Sequence, residues 1–153
     1  MRYCYMASPV GRLLLFERDG AIERVEFDRD PPQGAIEEES ALLSACQGQL
    51  REYFAGERRR FELLLRPLGT PFQRACWQAL QQIPYGRTCS YADIARSIGR
   101  PKACRAVGGA NHVNPISIII PCHRVIGASG ALVGYGGGLP IKEYLLCLER
   151  ENI

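Results

Sequence analysis

Apolar positions fall in short strand-like runs early in the chain and at helical spacing later, and the change falls near residues 66–71. Residues 12–17 and 22–27 read as strands joined by a turn at Asp19-Gly20, and residues 37–54 read as a helix that stops at Gly56. A further short strand is expected over 61–65. Beyond the break, Thr70 can cap a helix with Pro71 at its first position, and Phe72, Cys76, Ala79, Leu80 and Ile83 form an apolar stripe along it. After a turn at Pro84-Tyr85-Gly86, Ser90 and Asp93 read as a capping box that opens a short helix ending at Gly99, and Pro101 is expected to start the next. Two short helices across a Gly-containing turn, the second with Lys102 and Arg105, have the layout of a helix-turn-helix whose second helix meets DNA. Residues 116–120 are a candidate buried strand ended by Pro121, and a last helix is expected from near Pro140. The expected architecture is therefore α/β: a small α/β unit over 1–68 that serves as scaffold, then a mainly helical unit over 69–153.

Composition narrows the class. With 153 residues, 46% hydrophobic and 23% charged, the chain has ordinary globular content and room for one or two compact units. It has no apolar run of membrane-spanning length and no secretory leader at Met1-Arg2-Tyr3-Cys4, so a cytoplasmic protein without membrane association is expected. Seven cysteines, an odd number, fit reduced thiols better than a disulfide framework. No Cys-x-x-Cys pair occurs and the only imidazoles are His112 and His123, so neither a structural zinc nor any other metal or cofactor is expected.

Charge separates the two halves. Residues 1–70 carry ten Arg against twelve acids, a net −2, whereas residues 71–153 carry nine Arg and Lys against four acids, a net +5. From Arg74 to Arg124 seven basic residues face a single acid, Asp93, which is the footprint of a surface that meets phosphates, although a solvated basic face has the same signature. In the stretch 103–110 and just beyond it, only Arg105 and Asn111 could reach a base. The small residues Ala106, Gly108 and Gly109 permit close backbone approach, which suits recognition of groove shape more than of sequence; tight helix packing is the alternative use of the glycines.

The chemical candidate is Cys122. A thiolate is a strong, soft nucleophile once its pKa is lowered by a nearby imidazole and oriented N–H groups, and His123 is the nearest base. In an extended segment consecutive side chains point to opposite faces, so direct contact requires a turn, or a water between the two. Glu149 could orient the imidazole if the C-terminal helix packs behind the cysteine.

Asn114-Pro115 followed by Ile120-Pro121-Cys122-His123-Arg124-Val125 resembles the O6-alkylguanine-DNA alkyltransferase (methylated-DNA–protein-cysteine methyltransferase) family. The likeness extends through Ser90-Tyr91, residues 105–110, Gly137-Gly138-Leu139, Lys142-Glu143 and Glu149, nearly all of residues 71–150. It implies an N-terminal ribonuclease-H-like scaffold, a C-terminal helix-turn-helix domain, and single-turnover transfer of an alkyl group from O6-alkylguanine to Cys122. The partner implied is double-stranded DNA carrying the lesion, bound from the minor groove by a monomer, with the damaged base flipped out. By the same resemblance His123 is the water-linked base, Glu149 its orienting carboxylate and Asn114 the brace of the site. Tyr91 helps rotate the 3′ phosphate and donates to the departing guanine, Arg105 fills the space of the extruded nucleotide, and Pro121, Tyr135, Gly136 and Gly137 line the pocket. Gly136 stands where some relatives carry a polar residue, which leaves the range of alkyl groups open.

Three other classes make different demands. Damage-flagging relatives lack the acceptor cysteine, which is present here. A Cys-His-Glu hydrolase needs its Cys and His distant in sequence. A helix-turn-helix regulator with a redox cysteine needs base-reading side chains that residues 103–110 do not supply.

Overall fold

Three antiparallel strands open the chain: β1 (Arg2–Ser8), β2 (Gly11–Arg18) and β3 (Ala21–Phe27), with the two-residue β4 (Ile36–Glu37) added parallel to β1 in the order β3-β2-β1-β4. The computed structural model describes residues 1–127, 130, 132 and 134–153. They form two compact units, one of Met1–Leu68 with Pro115–Ser117, the other of Gly69–Asn114 with Ile118–Ile153.

In the first unit, β2 is an inner strand of the sheet and is buried on both faces over Leu13, Leu14, Leu15 and Phe16, so it shows no alternation. The sequence reading did not anticipate β1, where only Cys4 and Met6 turn inward and tyrosines occupy the other face. Helix α1 (Ala41–Phe54) starts four residues later than expected, because Ile36–Glu37 pairs with β1 and Ser40 caps the helix by accepting from the Leu43 amide. It buries Leu43, Cys46, Leu50 and Tyr53. The strand expected over 61–65 reduces to one bridge: Ile22 donates to Leu64 O and Arg66 donates to Ile22 O. Pro67 has no N–H with which to continue such a ladder.

The buried strand expected over 116–120 is also corrected. Ile116 bridges to Val25, after which the chain turns, with Ile118 in the left-handed region at φ +72°. Ile116, Ile118, Ile119 and Ile120 are all buried, so an apolar run marks this core segment without marking its conformation.

In the second unit, α2 (Pro71–Leu80) begins with the expected cap, strengthened by a reciprocal bond between Gln73 and the Thr70 amide. Trp77 of α2 is buried and its Nε1 donates to Ala110 O at 2.8 Å, which ties α2 to α4 (Cys104–His112). Between them lie β5 (Cys89–Ser90) and α3 (Tyr91–Ser97), the latter opened by the Ser90–Asp93 box. Pro101 does not start α4: Ala103 N–H closes on Arg100 O, so Pro101 and Lys102 are the centre of a turn and the helix begins at Cys104 without a side-chain cap. Cys122–Arg124 forms a single 3-10 turn, β6 (Val125–Ile126) pairs parallel with β5, and α5 (Leu139–Glu151) closes the chain.

Candidate active site

The adjacent Cys122 and His123 lie in a 3-10 turn and not in an extended segment. At three residues per turn, successive side chains diverge by about 120° instead of pointing to opposite faces. Cys122, His123 and Arg124 therefore fan out into the core, all buried. Helix α5 supplies Lys142 and Glu149, seven residues apart and so on one face, also buried.

Glu149 is the hub. Its Oε2 lies 2.6 Å from His123 Nε2, its Oε1 accepts from Arg124 Nε at 2.8 Å and from the Gly86 amide at 3.1 Å, and Arg124 Nη2 donates to Oε2 at 3.1 Å. An ionised carboxylate only accepts, so the network assigns the imidazole proton to Nε2 and leaves the lone pair on Nδ1. That Nδ1 is buried and has no hydrogen-bond partner among the described residues.

Burial dominates the electrostatics. It pushes the Cys122 thiol up, against the opposing pull of the Asn114 side chain, the Lys142 charge and the Tyr135 hydroxyl. It pushes His123 down, opposed by the bond to Glu149 and reinforced by the Arg124 and Lys142 cations. Burial also acts to raise Glu149, but bonds and charges from His123 and Arg124 together hold its carboxyl well below the usual range. Lys142 is lowered by burial and donates to Val125 O at 2.5 Å. The resting pair is thus a neutral thiol and a neutral imidazole, not the acidified thiol that the sequence reading anticipated. A raised thiol does not distinguish Cys122, since burial lifts Cys46 to about 12 and Cys89 to about 11. The buried imidazole with a vacant lone pair does.

Around this centre, Asn114 Nδ2 donates to Ile120 O at 2.8 Å and so ties the two ends of the isoleucine turn. Tyr91 is half-buried: a Cβ on Gly108 would lie 3.9 Å from its Cε1 and one on Gly134 would lie 4.0 Å from its hydroxyl, so its ring sits between α4 and the glycine loop. Pro121 and Tyr135 are buried, Gly137 is half-buried and Gly136 is exposed, where a Cβ would meet His112 O at 3.4 Å. On α4, Arg105, Ala106 and Gly109 share an exposed face with Gly108 at its margin. Asn111 departs from expectation: it is buried and Nδ2 donates to Cys122 O at 3.4 Å, so it supports the acceptor turn and is not on the exposed face. Sequence reasoning missed Arg124, Lys142 and Gly86 as neighbours of the centre. The seven-residue interval from Lys142 to Glu149 was the available signal, since it puts two charges on one helix face.

Among the described residues, no three His, Cys, Asp or Glu side chains group as metal ligands, and no helix is long and apolar enough to cross a membrane.

A sheet-based unit followed by short helices with a helix-turn-helix, and a buried cysteine backed by an imidazole–carboxylate pair, define a class of cysteine-nucleophile proteins built on a DNA-binding frame. Residues 1–67 match the ribonuclease-like domain of 6-O-methylguanine DNA methyltransferase and residues 71–151 match its DNA binding domain. The chain belongs to the 6-O-methylguanine DNA methyltransferase family. It is 49% identical to the methylated-DNA–protein-cysteine methyltransferase of Methanosarcina acetivorans, over 97% of this chain and 98% of that one. The constitutive methyltransferase of Bacillus subtilis is 46% identical over 97% and 94%. Among solved structures, Mycobacterium tuberculosis OGT in complex with DNA superposes with a TM-score of 0.94 at 45% identity, covering 99% of this chain and 94% of that one. The expected pairing of a ribonuclease-like unit with a helix-turn-helix unit therefore holds.

Proposed function

We propose that this protein repairs DNA by direct reversal, moving the alkyl group of an O6-alkylguanine in duplex DNA onto Cys122 in a single turnover. The observation that carries the reading is the buried His123 Nδ1, left open as an acceptor one residue along the turn from Cys122 while Glu149 holds Nε2. The Cys122 proton passes to Nδ1 through a bridging water, and the sulfur attacks the alkyl carbon in line with the departing O6. The S–C bond forms, the C–O6 bond breaks with its electron pair on guanine, and the guanine anion takes a proton from water while the imidazolium returns the Cys122 proton to solvent. The product is a thioether, which offers water no acyl carbon, so the protein is consumed.

The lesion must leave the stack for the sulfur to reach it, at a cost of a few kcal/mol that is smaller for a damaged pair. Arg105, exposed on α4, fills the vacated space, and Ala106, Gly108 and Gly109 let the helix backbone lie close in the minor groove. Tyr91 rotates the 3′ phosphate and donates to the departing guanine. Pro121, Tyr135, Gly136 and Gly137 line the base pocket, and Asn114 braces the turn beneath Cys122. Residues 1–68 act as scaffold and residues 69–153 as the DNA-binding and acceptor domain of a cytoplasmic monomer that needs no cofactor.

Intact mass after incubation with a duplex containing O6-methylguanine tests the reading. The wild type gains one methyl group in place of one hydrogen, and Cys122→Ala gains nothing while still binding the duplex. Lesion binding by the wild type without any mass gain overturns it.

A further inference from the structure

Glu149 accepts at least four hydrogen bonds, more than orienting one imidazole requires. Two come from the Arg124 fork, and that guanidinium is itself fixed from behind. Its Nη1 donates to Ile83 O at 2.8 Å, and its Cζ lies 5.6 Å from the centre of the Tyr85 ring. The turn that follows, through Gly86, donates its amide to the same carboxylate. One surface turn thus holds both partners of an ion pair in which Arg124 is 7% exposed and Glu149 1%. Water screens such a pair little.

A carboxylate beside an imidazole can act in two ways. Left alone it makes the imidazole strongly basic, so that the ring is already protonated near neutral pH and useless as a base. Neutralised by a fixed cation, it still orients Nε2–H but draws the proton less. We infer that Arg124, held by the 83–86 turn, is a positioning residue that acts through Glu149: it adds to burial in keeping His123 a neutral base, ready to take the Cys122 proton. In that step the S–H bond breaks, an Nδ1–H bond forms, and Glu149 stays ionised throughout. The groups that face His123 are Glu149 and Lys142 from α5 and Arg124 from its own turn, with Tyr85 against Arg124; its chain neighbour Cys122 has Tyr135 against it. Of these, Lys142 acts in the same direction as Arg124, so removal of Arg124 exposes its own share.

This role rests on the alkyl-transfer reading for its purpose but is measurable without it. The chain has two histidines, so His112→Gln leaves a single imidazole to follow by NMR through a pH titration. In that background Arg124→Met, uncharged and similar in stem, raises the His123 midpoint by at least about one pH unit, roughly a tenfold gain in proton affinity. Arg124→Lys keeps the cation without the fork and falls between the two. The acid limb of the single-turnover rate moves up with the midpoint, whereas a purely structural role lowers the rate equally at every pH. If Arg124→Met does not fold, Arg124→Lys decides, since its midpoint must still exceed the wild type's. A folded variant whose His123 titrates as in the wild type, or stays neutral in both, overturns the inference. Absence of any transfer by the wild type refutes the proposed function and leaves the imidazole result standing by itself.

Discussion

At Glu149 one carboxylate serves stability and chemistry together, and the two can be separated by pH. Its folded-state carboxyl is held below its unfolded value, so its contribution to stability is present above about pH 4.3 and is lost as pH falls further. Glu149→Gln should accordingly show a urea midpoint that varies less than the wild type's between about pH 5 and about pH 3. At neutral pH the same variant leaves a buried guanidinium without its counterion, and a loss of about 3–5 kcal/mol is expected in the same urea titrations. Cys122 and His123 were legible in the sequence as a candidate nucleophile and base, and Glu149 as a candidate orienting acid chiefly through the family resemblance. Their protonation states were not, because they depend on burial, which residue types do not encode.

Helix starts and close approaches govern stability at the scale of the elements. Thr70→Ala and Ser90→Ala each remove a side-chain acceptor from the first turn of α2 or α3, and each should lower stability by about 1 kcal/mol in urea titrations. Gly69→Ala should cost more, about 1–3 kcal/mol, since the new Cβ would fall 2.5 Å from Cη2 of Trp77, a ring 1% exposed and pinned through its Nε1. Both caps were readable because Thr70 before Pro71 and the Ser90–Asp93 box are patterns within four residues. The start of α4 and the turn at Ile118 were not: Pro101 suits either a helix start or the second position of a turn, and five residues of mainly isoleucine suit any buried conformation.

Over the whole molecule, the net −2 of residues 1–70 and the +5 of residues 71–153 set the expectation for binding. Affinity for duplex DNA should fall steeply between about 50 and about 200 mM salt. Lys102→Ala, at the exposed turn before α4, should weaken lesion and undamaged duplexes alike and reduce the slope of log affinity against log salt by about one. Fluorescence anisotropy across that salt range measures both effects, and a slope unchanged in the variant would remove Lys102 from the phosphate-binding face.

The sequence by itself determined the acceptor motif, the capped helices, the helix-turn-helix and the charge division, all of which are written in neighbouring residues or in sums over segments. Only the tertiary structure decided that Pro115–Ser117 belong with the first unit, that Asn111 is buried under Cys122, and that Arg124 shares Glu149 with His123. These are meetings between residues far apart in the chain or facing inward from one turn. They follow from how buried surfaces fit and how buried charges find partners, and no local pattern of residue types records that.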